Sequence, residues 1–76
     1  MNGIELVVQV MKKFHNNAPV QAQGCHVLLE LSKKQALRDA LKKGGALVAV
    51  GEATEKHDGC EKLATAFFKN MFRNNW

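Results

Sequence analysis

The chain is poor in residues that interrupt or staple a fold. Among 76 residues there is one proline and there are six glycines, which argues against a loop-rich or disordered chain. Cysteine occurs twice, at Cys25 and Cys60. Two cysteines are too few for a secreted disulfide scaffold. Both read as buried free thiols of a reducing compartment, cytoplasmic or nuclear. No run approaches the ~18 consecutive apolar residues of a membrane span. The first ten residues lack the basic start and long apolar core of a signal peptide. No phosphate-binding glycine loop is present, because Gly44-Gly45 has neither the spacing nor the following Lys-Ser/Thr. No nucleophile elbow accompanies either cysteine, and no paired acids stand in an evident cleft. Catalysis is therefore not expected.

What is present describes a small helical domain. Hydrophobic residues make up 46% and charged residues 24%, enough apolar content for one folded unit. Its core must be modest, since a chain this short buries only roughly 60% of the surface it exposes when unfolded. Eleven Lys+Arg against seven Asp+Glu give a formal charge of +4. Five of the cations, Lys33, Lys34, Arg38, Lys42 and Lys43, fall in one stretch with a single acid, Asp39. Such a patch suits nucleic acid or another acidic partner. It equally describes a solvated helix whose lysines sit at the end the helix dipole favours. The solvated face is preferred, because no aromatic readout residues interleave with the cations.

A metal site is the first chemical rival. Cys25-His26 and His57-Asp58-Gly59-Cys60 contain zinc-ligand types. Adjacent helical side chains diverge by roughly 100°, however, and only the second pair has a usable spacer. The expectation is no metal and no cofactor.

Helical periodicity divides the chain into five segments. Ile4, Val7, Val8, Met11 and Phe14 stripe a first helix over about 3–15 that Asn2 would cap. His15-Asn16-Asn17-Ala18-Pro19 is a turn, with proline suited to the first position of the next helix. Val20, Gly24, Val27, Leu28 and Leu31 stripe that second helix over about 19–32. A glycine on its apolar face predicts close approach of another helix. A short third helix over about 34–43 carries Leu37 and Leu41 and ends at Gly44-Gly45. The fourth, over about 46–56, carries Leu47 and Val50 among small alanines. His57-Asp58-Gly59 turns the chain, with Asp58 the expected cap. The fifth runs from about 60 onward. Its stripe, Cys60, Leu63, Ala64, Phe67, Phe68, Met71 and Phe72, is the strongest in the chain, and Trp76 would extend it.

The segments partly repeat. Gly3-Ile4-Glu5-Leu6-Val7-Val8 aligns with Gly45-Ala46-Leu47-Val48-Ala49-Val50 at a shift of 42 residues, which also sets His15 on His57. Beyond the turn the shift shortens to 40, setting Val20 on Cys60, Gly24 on Ala64, Leu28 on Phe68 and Leu31 on Met71. The two lost residues fall in the turn. A period near ~40–47 residues with two or three helices per unit belongs to the armadillo and HEAT solenoids.

On these motifs the chain resembles an armadillo repeat. Gly44-Gly45-Ala46-Leu47-Val48 is similar to the glycine pair that opens the family's second helix, and Gly3-Ile4-Glu5-Leu6-Val7 is a partial earlier copy. The resemblance covers nearly the whole chain. It implies an all-α, right-handed superhelical stack forming one domain over 1–76. Residues 3–32 would be the second and third helices of one unit, and 33–76 one full unit, about one and two-thirds repeats in all. It also implies a non-catalytic protein-interaction scaffold, a piece of a longer solenoid array, with a protein or peptide partner in a groove lined by the third helices. The family's peptide-contacting Trp and Asn positions fall on His26 and Glu30 in the first copy and on Ala66 and Asn70 in the second. Only Asn70 matches. Lys69 and Arg73 flank it. Phe67, Phe68, Phe72 and Trp76 form an aromatic crowd that would fill a terminal layer or drive self-association. The alternative function is a stand-alone helical domain that binds nucleic acid or an acidic partner through the basic third helix.

Overall fold

The structure is a computed structural model that describes residues 3–72. Five helices follow in order: α1 (Gly3–Lys13), α2 (Ala18–Ser32), α3 (Gln35–Lys43), α4 (Ala46–Lys56) and α5 (Glu61–Met71). A 3-10 turn, Asp58–Cys60, leads into α5. No strand occurs among the described residues. The expected cap Asn2 and the expected extension through Trp76 lie outside them.

Local chemistry sets the helix ends. The first helix stops at Lys13 rather than His15, and Phe14 to Asn16 form the turn. Gln21 Nε2 donates to the carbonyls of Met11 at 2.8 Å and Phe14 at 3.0 Å. One buried amide from the next helix thus satisfies two carbonyls at the end of α1, groups a helix cannot pair internally. The Asn17 side chain accepts from Val20 N–H at 3.1 Å, an N-cap of a kind worth about 1 kcal/mol. Pro19 sits in the first turn of α2, where no intrahelical N–H is required.

The α3–α4 turn needs its second glycine. Gly44 N–H donates to Ala40 O at 2.8 Å to close α3. Gly45 follows at φ +83°, the left-handed region that costs other residues about 1–2 kcal/mol. Gly45→Ala is accordingly expected to destabilise the fold by about 1 kcal/mol. Urea unfolding followed by circular dichroism would read this as a lower midpoint at unchanged slope.

The start of α5 differs from expectation. Asp58 makes no side-chain cap bond, and neither the 3-10 turn nor α5 has one. The 3-10 turn instead carries Cys60 inward, where it is buried, and its N–H donates to His57 O at 3.0 Å. Placing Cys60 in the core takes precedence over a side-chain cap.

The described residues span 38 × 28 × 15 Å. α2 lies against α5 in the most extensive junction, and α1 lies against both α2 and α4. α1 buries Ile4, Val8 and Met11, and α4 buries Ala46, Val50 and Ala53, each pair 42 residues apart. Gly24 is where α1 and α2 come closest, since a Cβ there would lie 2.5 Å from both Cγ and Sδ of Met11. The close approach expected at this glycine is therefore present, and α1 is the helix that makes it. Leu41, the buried residue of α3, Leu28 of α2, Val50 of α4 and Phe67 of α5 are fully enclosed. No helix among the described residues is long and apolar enough to cross a membrane.

Candidate functional site: the exposed face of α2 and α5

His26 and Glu30 are exposed one turn apart on α2. Ala66 and Asn70 occupy the 40-residue-shifted positions on α5 and are half-buried, with Lys69 exposed beside them. α2 and α5 pack side by side, so the two sets stand on adjacent helices. Arg73 lies outside the described residues. Asn70 is fixed in place, with its Nδ2 donating to Ser32 Oγ at 3.0 Å. Ser32 in turn donates to Leu29 O at 2.7 Å. Asn70 thereby spans the seam between the helices. A primary amide carries two donors and an acceptor, and among the described residues the bond to Ser32 is the one its side chain makes.

Glu30 forms an ion pair with Lys33 at 2.9 Å. The hydrogen bond from Lys33 and then its charge hold the Glu30 carboxyl below its ordinary range. Glu30 is thus ionised at neutral pH, with His26 one turn away. The two adjacent helices thus carry an anion, an imidazole, an amide and a lysine.

The basic stretch is less free than its sequence suggests. Lys33 is held by Glu30, and Lys43 pairs with Asp39 at 3.2 Å. Arg38 is half-buried, and its Nε donates to Ser32 O at 3.0 Å, closing the carbonyl end of α2. Lys34 and Lys42 are exposed. Three of the five cations therefore satisfy groups of this chain's own helices.

The aromatic crowd divides. Phe67 is 0% exposed and belongs to the core, so burial removes it from the residues expected to mediate self-association. Phe68 is half-buried, with its ring edge-on to Phe67 at 5.5 Å and stacked on Phe72 at 6.2 Å. Phe72 is 62% exposed. Trp76 lies outside the described residues.

Two features were not anticipated from the sequence. Lys56 Nζ lies 2.9 Å from His15 Nδ1, and His57 Nε2 lies 3.0 Å from His15 O. An ammonium only donates and a carbonyl only accepts. His15 Nδ1 is therefore the acceptor and His57 Nε2 the donor. This clasp ties the turn after α1 to the turn after α4. The 42-residue match of His15 with His57 was its only sequence signal. The second feature is that the two thiols meet. Cys25 and Cys60 are both buried, free and in contact. Burial, then the neighbouring Cys60, pushes the Cys25 thiol up to about 12. Such a thiol is neither a nucleophile nor a ready metal ligand at neutral pH. Among the described residues no three His, Cys, Asp or Glu are grouped to hold a metal ion.

Comparison with protein-family models, with curated proteins and with solved structures finds no match.

Proposed function

We propose that this chain is a non-catalytic protein-interaction module of armadillo type, a unit of a longer helical array, that takes a protein or peptide partner on the α2–α5 face. In this reading α1–α2 and α4–α5 are equivalent pairs, α3 is the short first helix of the second unit, and the layers continue as a right-handed superhelix. The observation that carries it is the position of Asn70. It sits where the family it resembles places a backbone-reading amide, it is tethered by Ser32, and it keeps donor and acceptor capacity to spare. The burial match of Ile4, Val8 and Met11 with Ala46, Val50 and Ala53 supports the equivalence of the pairs. The nucleic-acid alternative is the weaker reading, since Lys33, Arg38 and Lys43 are already engaged.

The test is a peptide selected from a displayed random library against the whole chain. Asn70→Ala is expected to weaken its binding about tenfold, the loss of one or two hydrogen bonds at about 1 kcal/mol each. Val48→Ser, an exposed change on α4, is expected to leave it unchanged. Equal losses from both substitutions, or from neither, would contradict the reading.

A further inference from the structure

The junction between α2 and α5 uses two different stripes. α2 buries Gln21, Gly24, Cys25, Leu28 and Ser32, with Gln21 and Gly24 turned to α1, while the α5 side buries Cys60, Ala64, Phe67 and Met71. At the 40-residue shift the α5 stripe corresponds to Val20, Gly24, Val27 and Leu31 of α2. Of these Gly24 is buried against Met11 of α1, Val20 and Leu31 are half-buried, and Val27 is 39% exposed where its counterpart Phe67 is fully enclosed. The α2 stripe corresponds on α5 to Glu61, Thr65, Phe68 and Phe72. This one is also open, with Phe72 62% exposed where Ser32 is buried. Each end of the molecule therefore leaves partly uncovered what the middle buries. At the α1–α2 end the opening is a groove of about 260 Å³ with almost wholly apolar walls, formed by Leu6, Val7, Val10 and Val27 over a floor of Met11 and Gly24. At the other end stands the stacked Phe68–Phe72 pair.

We propose that the occupant of the α1–α2 groove is a second copy of this chain, stacked head to tail so that its Phe68–Phe72 edge enters between Val10 and Val27. The contact repeats between molecules the operation that already joins α2 to α5 within one molecule. The two faces are complementary in kind, one a concave aliphatic groove and the other a convex aromatic edge. They are different patches, so the contact is heterologous and leaves a free end on every copy. Association then has no built-in stop and grows with concentration. This rests on the equivalence of the two helix pairs set out above, and not on the peptide-binding face.

The experiment is absolute mass by light scattering after size exclusion, on the whole chain from about 10 μM to about 1 mM, a range suited to a small apolar contact. Wild-type mass is expected to rise continuously from 8.4 kDa. Val27→Glu closes the groove end and Phe72→Glu the aromatic end. Both positions are exposed, and circular dichroism is expected to show native helix in each variant. Each alone is expected to remain at monomer mass. An equimolar mixture is expected to form a dimer and nothing larger, since each variant keeps the end the other has lost. A wild-type chain that stays monomeric throughout would overturn the proposal. So would a mixture that fails to dimerise, which would mark a like-with-like contact through one face. Either failure leaves the α2–α5 face to be judged by the Asn70 variant alone, so the two readings fail separately.

Discussion

Phe67→Ala is expected to bring the protein close to unfolding at room temperature. Phe67 is the largest side chain fully enclosed in the fold, and it sits in the α2–α5 junction, the most extensive contact between helices. Truncating a buried Phe costs about 3–5 kcal/mol, from lost transfer energy and the cavity left behind. A domain of 76 residues has roughly 4–11 kcal/mol of total stability. The substitution therefore removes between about a quarter of the stability and all of it. Leu28, Cys25 and Ala64 are buried in the same core cluster and come from two helices, so a cavity there is not closed by one side chain alone. Phe72→Ala is the control, because an exposed phenyl group contributes within about 0.5 kcal/mol. Urea unfolding should separate the two clearly. Equal midpoints would mean that Phe67 is not the core residue described here.

The thiol pair predicts the second large effect, a loss of stability in alkali. Cys25 is buried against Cys60 and has its pKa raised from 9.0 to about 12. The unfolded chain releases this proton near 9, while the folded chain retains it. Stability from this group is thus fully present below pH 9 and is lost as pH rises from 9 to 12. The informative comparison is with Cys25→Ala. That variant is expected to start less stable and to lose less between pH 9 and 11. At neutral pH the wild-type thiols should resist a disulfide reagent until urea unfolds the chain. Immediate labelling of both thiols in the native state would contradict their burial.

Much of this architecture is legible in the sequence, for physical reasons that differ along the chain. All five helical segments follow from apolar spacing, and α4 spans the expected residues because Gly45 and His57 punctuate it on either side. The close approach at Gly24 is legible because a mid-helix glycine on an apolar face has few other uses. The end of α1 is not. It is set by Gln21, a residue of the next helix whose amide reaches back to Met11 and Phe14. Asp58 misleads because local capping chemistry is outweighed by the burial of Cys60. The aromatic stripe is legible as a stripe, yet Phe67 and Phe68 are adjacent in sequence and only one of them is fully buried. That distinction depends on which neighbour packs where, which periodicity does not encode. The basic stretch misleads for a related reason. Its charges are countable, but their partners Glu30, Asp39 and the Ser32 carbonyl appear only once the helices are placed.

On the candidate face, His26, Glu30, Ala66 and Asn70 were named by register against a family pattern, and the register brings them to adjacent helices. The Ser32 hydroxyl that holds Asn70 carried no signal. A serine at the end of a helix is ordinary until the packing sets an amide 3.0 Å away.

The most direct test of the account is a titration of the isotopically labelled chain with a library-selected peptide, read by backbone amide chemical shifts. The account predicts that the largest changes fall along one face, at His26, Glu30, Ala66, Lys69 and Asn70, with α3 and the α1–α2 groove little affected. Largest changes on Lys34, Lys42 and the rest of α3, or in the groove at Leu6 and Val10, would contradict it.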